Sequence, residues 1–119
     1  MIDGAADTFL ATIDACWPAE RTEIVGPWTL RLTKGAGGRV SAISGNAPDR
    51  IAEAEAAVLA HGQRPGFILF PGQDALDAAL GERGYGIEDP VTLWTSPVAH
   101  LTTEIMPYAT AFTIWPPLR

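Results

Sequence analysis

Between Pro65 and Pro71 the chain runs Gly-Phe-Ile-Leu-Phe, with four consecutive large apolar residues, Phe67 to Phe70. Continuous rather than alternating apolarity reads as a strand covered on both faces. Helix-period patterns stop just before this run and resume just after it. Such a strand needs layers on either side, so this run constrains the fold more than any other stretch.

The patterns around it can be taken in chain order. Over residues 4–17, Ala6, Phe9, Leu10, Ile13, Cys16 and Trp17 follow the spacing of one helix face, with Asp7, Thr12 and Asp14 facing away. Asp3 suits the N-cap, and Pro18 closes the helix by forcing the preceding residue out of the α region. Cys16 is the only cysteine. No intrachain disulfide can form, and Cys16 reads as a small buried core residue. Ala19 to Glu23 reads as a polar loop.

From Ile24 the period is two: Trp28, Leu30 and Leu32 alternate with Thr29, Arg31 and Thr33, a half-buried strand. Lys34 to Gly38 is a glycine-rich turn, and Arg39 to Ser44 reads as the returning strand. A glycine-rich loop cradles phosphate where it feeds a helix N-terminus. Here it joins strand to strand and reads as a hairpin turn.

A second helix is expected over Pro48 to His61, with Pro48 at its first position, Ile51, Ala54 and Val58 inward and Gly62 after its end. Glu53 and Glu55, two residues apart, fall on different faces and do not form a paired-carboxylate site. A third helix is expected over Gly72 to Arg83, closed by Gly84. A fourth strand is expected over Val91 to Ser96, with an edge or bulge at Glu88-Asp89-Pro90. The tail from residue 99 is apolar (Ile105, Met106, Tyr108, Phe112, Ile114, Trp115, Leu118) yet broken by three prolines. It is expected to dock on a partner or to lead into further chain.

A chain of 119 residues is one domain by length. The fold expected is α+β: a mixed, mostly antiparallel sheet flanked by about three helices, over residues 1–98. The formal net charge of −6 argues against a nucleic-acid partner, which is held by displacing counterions with Lys and Arg. No apolar run approaches the length of a membrane span, and the N-terminus lacks the basic segment of a signal peptide, so a cytoplasmic protein is expected. Neither His61 nor His100 stands in a pattern that implies catalysis or metal binding, and no metal site is expected.

The order helix, strand, strand, helix, strand, helix, strand resembles the GNAT superfamily of N-acetyltransferases. The most specific piece is Phe67-Ile-Leu-Phe-Pro-Gly-Gln-Asp-Ala-Leu-Asp-Ala-Ala-Leu-Gly-Glu-Arg-Gly-Tyr85, a strand, a short helix and a Gly-aromatic pair at that family's spacing. With Trp17-Pro18 and Gly26-Pro-Trp-Thr-Leu-Arg-Leu32, it looks like the N-terminal lobe of bacterial two-lobed acetyltransferases. The resemblance covers residues 5–98. It implies acetyl-CoA as cofactor of the intact protein, and a second lobe of the same chain or a homodimer partner.

The family binds the cofactor's pyrophosphate on an Arg/Gln-x-x-Gly-x-Gly/Ala loop. The equivalent stretch here, Ser41-Ala-Ile-Ser-Gly-Asn-Ala-Pro48, has one glycine, no basic residue and a proline that removes a donor. Where the family often carries a tyrosine acid, four residues before Gly84, this chain has Leu80. No catalytic or cofactor-binding residue is therefore assigned. The leading expectation is a noncatalytic GNAT-like lobe. One alternative is a stand-alone acyltransferase that uses backbone N–H groups near Asn46 and Asp49, with Tyr85 or Tyr108 as acid. The other is a dimeric scaffold domain that uses its tail with Trp28, Trp94 and Trp115, although core is the commoner role for each tryptophan.

Overall fold

In a computed structural model of the protein, residues 5–35 and 37–101 are described. The chain divides into two units, Met1–Gly86 and Ile87–Arg119. The first carries helix α1 (Ala5–Cys16), strands β1 (Arg21–Val25), β2 (Trp28–Leu32) and β3 (Ile43–Ser44), and helices α2 (Ile51–Ala60) and α3 (Asp74–Glu82). Three helices and an antiparallel sheet of order β1-β2-β3 make an α+β fold, as the sequence patterns imply.

Register divides the sheet into two unlike faces. Leu30 lies opposite Ile43, and Thr29 opposite Ser44. Because side chains alternate along a strand, Trp28, Leu30, Leu32 and Ile43 share one face, and Thr29, Arg31 and Ser44 the other. The apolar face packs against Ile51, Ala54 and Val58 of α2 and Leu76 and Leu80 of α3, forming a continuous core. Trp28 is fully enclosed at its centre, its indole N–H donating to Arg50 O at 3.0 Å. Phe67 packs edge-on against both Trp28 and Tyr85, with ring centroids 5.4 and 5.5 Å apart.

Helices α2 and α3 stop where glycine allows it. Gly62 and Gly84 have φ of +72° and +88°, and the following N–H groups reach back to the last turn, Gln63 to Val58 O and Tyr85 to Leu80 O, both at 3.1 Å.

Several expected elements come out differently. The first strand begins earlier, because Gly26-Pro27 is a two-residue hairpin loop. Gly26 adopts φ +57°, and Arg21–Val25, read from the sequence as mostly loop, pairs fully with β2. The expected strand Arg39–Ser44 shrinks to Ile43–Ser44, preceded by a 3-10 turn at Gly38–Val40. The second helix starts at Ile51 rather than Pro48, since Arg50 N–H closes a turn onto Ala47 O at 3.0 Å.

The run Phe67 to Phe70 is not a strand buried on both faces. It is half-buried and pairs only through a parallel bridge, in which Ile43 N–H donates to Gly66 O at 2.8 Å and Ile68 N–H to Ile43 O at 2.9 Å. A two-residue β3, ended by Gly45 at φ +148°, offers no longer ladder to join.

In the second unit, Val91 to Ser96 is irregular and exposed rather than a strand. Pro90 and Pro97 bracket it without donors, and Asp89 turns the chain at φ +50°. A 3-10 turn follows at Val98–His100. Trp94 is 87% exposed rather than core. Asp3, Tyr108, Trp115 and the rest of the tail beyond Leu101 lie outside the described residues.

Candidate functional site

Helix α1 lies over the polar face of the sheet, and this explains its surface. None of its residues is buried; Ala6, Phe9, Leu10 and Ile13 are half-buried, and Cys16 is exposed, not the core residue its spacing implied. Four residues of the expected stripe still face the domain, and Asp14, expected outward, reaches Arg31 of β2. Phe9 makes an edge contact with Phe70 at 6.3 Å, and Arg39 lies over the Trp17 ring just past the helix end.

Beneath α1 stands Arg31, a cation only 3% exposed. All three of its guanidinium nitrogens are engaged. Nη1 donates to Ser44 Oγ at 3.0 Å and to Ala42 O at 3.3 Å, both on the β3 side. Nε and Nη2 donate as a fork to the two carboxylate oxygens of Asp14, at 2.7 and 2.8 Å. This is the bidentate geometry in which arginine binds carboxylate most strongly. The hydrogen bonds from Arg31 hold the Asp14 carboxyl below the ordinary carboxylate range, against the opposing effect of burial.

Beside this pair opens a cleft of about 350 Å³, lined by Asp7 and Leu10 of α1, Pro27, Thr29, the Ser44-Gly45-Asn46 junction, Phe70 and Gln73. Gln73 ties its far wall together, accepting from Phe70 N–H at 2.9 Å and donating to Gly45 O at 3.2 Å. Among the described residues, the lining is half apolar and carries one carboxylate and no cation.

No protein-family model, curated protein or solved structure matches this chain.

The residues weighed from the sequence do not converge here. Asn46 lines the cleft, but Asp49 does not, and the N-cap position of α2 is held by Arg50, whose guanidinium pairs with Glu53 at 2.9 Å. Tyr85 sits elsewhere. Its hydroxyl donates to Glu55 Oε1 at 2.9 Å, and the same carboxylate receives the Arg83 guanidinium. Burial, then the bond to Glu55, pushes the Tyr85 phenol up to about 12, which suits a structural donor between α2 and the end of α3 rather than a proton source. Glu53 and Glu55 thus serve different partners. Leu80 is buried in the core. Among the described residues, no group of His, Cys, Asp or Glu could hold a metal ion, and no helix is long and apolar enough to cross a membrane.

Sequence reasoning missed Arg31 and Asp14. Alternation places Arg31 on the polar side of β2, which ordinarily means solvent, and the α1 periodicity places Asp14 outward. No local pattern marks either residue: it is the packing of α1 onto the polar side of β2 that turns a polar position into a buried one.

Proposed function

We propose that this chain is a noncatalytic, GNAT-like domain that supports an acetyl-CoA-dependent N-acetyltransferase in the cytoplasm. The observation that carries the reading is the unit formed by β3, α2 and the Phe67 bridge. A strand leads into a helix, and the chain returns to bridge that strand, which supports the strand-helix-strand order on which the resemblance rests. The junction opening this unit is also the place where the family grips its cofactor.

The residues present there do not fit acetyl-CoA. A pyrophosphate is held by a cation and by free N–H groups at a helix N-terminus. Among the described residues, the lining of the cleft beside this junction contains the Asp7 carboxylate and no cation. Pro48 has no N–H, and the Arg50 N–H is already given to Ala47 O. No catalytic step is therefore routed through this domain, and its contribution is as a supporting surface. Exposed Ile87, Val91, Leu93 and Trp94 supply apolar area for a second lobe or a homodimer partner.

Isothermal titration with acetyl-CoA, paired with an assay for thiol release from acetyl-CoA in the presence of mixed amines, tests the reading. Neither binding at millimolar ligand nor thiol release is expected. Micromolar binding with thiol release would replace it with a stand-alone acyltransferase. Sedimentation equilibrium of the same sample separates the partners, because a concentration-dependent dimer points to a second copy of this chain.

A further inference from the structure

The polar face of the sheet holds a ready-made receptor for a carboxylate, and the chain fills it with its own side chain. We propose that Arg31, anchored by Ser44 and Ala42 O, forms a carboxylate-binding site that Asp14 occupies in cis, so that α1 acts as a displaceable lid and a carboxylate ligand competes for the same fork.

Three observations carry this. First, the two halves of the guanidinium are used differently. Nη1 is fixed to the β3 side, whereas Nε and Nη2 point together at one carboxylate, so the fork keeps its orientation whoever supplies the oxygens. Second, Arg31 is 3% exposed while the Asp14 side chain is 42% exposed. The cation belongs to the scaffold, and the anion arrives from the solvent side. Third, α1 contributes no buried residue, so its apolar contacts with the domain are shallow and the ion pair is a large part of its attachment. A lid held in part by a mimic of its ligand can be exchanged for that ligand. This inference is independent of the acetyltransferase reading.

Chemical rescue tests it in the intact chain. Asp14→Ala removes the internal carboxylate, and Asp14→Asn, a gentler change, is measured alongside in case the alanine variant does not fold. Melting temperatures are recorded with increasing sodium acetate against sodium chloride at equal ionic strength. The expected result is a saturable, acetate-specific rise of about 4–8 °C in the variants. Wild type should show little of this rise, and the double variant Asp14→Ala/Arg31→Met, which lacks the fork, none. No acetate-specific rise in either single variant would overturn the proposal, as would an equal rise in the double variant. A capped Ala-Asp-Ala peptide in place of acetate distinguishes ligand sources. A response to acetate alone supports a free small carboxylate, and a response to both supports an acidic segment of a partner.

Discussion

Gly45 occupies a position that no larger residue fits. At φ +148°, a Cβ there would stand 2.5 Å from Pro27 O and 2.7 Å from Trp28 Cε3, and neither the backbone nor the enclosed indole can retreat. Gly45→Ala combines overpacking with a left-handed backbone and is expected to destabilise the protein by about 1–3 kcal/mol, read as a lower urea midpoint. Gly81 provides the contrast. It lies inside α3, and an added Cβ would meet nothing. Gly81→Ala should therefore raise stability by about 0.5–1 kcal/mol through helix propensity. If the two substitutions had equal effects, the close packing of the β3–α2 junction onto the hairpin loop would be wrong.

At the scale of elements, the short sheet is held together by side chains as much as by its own ladder. Gln63, just past the end of α2, donates to Arg31 O at 2.8 Å and to Ser41 O at 2.9 Å, and accepts from Thr33 N–H at 3.2 Å. It closes the end of the β2–β3 pair where strand pairing has already stopped. Gln63→Ala leaves three half-buried backbone groups without this partner. It is expected to cost about 1.5–3 kcal/mol and to speed amide exchange at Thr33 before that of β2. Exchange at Thr33 no faster than across β2 would count against Gln63 as a local clasp.

The same elements separate what is legible in the sequence from what is not. Helix existence followed from periodicity, and both helix ends with glycine were readable from the need for positive φ at Gly62 and Gly84. The hairpin loop Gly26-Pro27 was also legible in principle, as glycine at the first of two loop positions, but the charged residues of the edge strand β1 disguised it. What could not be read was the pairing of Asp14 with the sheet and the shortness of the pairing at Phe67. Both depend on which sheet face is polar and where β3 ends, facts that arise only when distant segments meet. Arg31 and Asp14 stand seventeen residues apart with no local pattern to join them, so the candidate site was invisible even where its elements were not.

For the whole molecule, the charged and hydrogen-bonded side-chain pairs that join elements make stability depend on pH at both ends. The Arg31 guanidinium depresses the Asp14 carboxyl, and the Arg83 guanidinium, with help from Tyr85, depresses that of Glu55. Carboxylates with lowered folded values stabilise the fold fully above their ordinary values of 3.8 and 4.5, and lose that contribution as pH falls through the lower folded ones. Tyr85 has the opposite sign. Its phenol rises from 10.0 to about 12, so its contribution is complete below 10 and disappears as pH climbs through about 12. Urea midpoints should therefore be flat through neutrality, with an acid limb and a separate alkaline limb. Asp14→Asn and Glu55→Gln should each flatten part of the acid limb, and Tyr85→Phe should remove the phenol that titrates late in ultraviolet absorbance together with the alkaline limb. Because Asp14 keeps contact with water, its substitution is expected to cost about 1–3 kcal/mol at neutral pH, less than the loss of a partner from a fully enclosed pair. If Asp14→Asn left both the midpoint and the acid limb unchanged, the ion pair would not be what fastens α1 to the sheet.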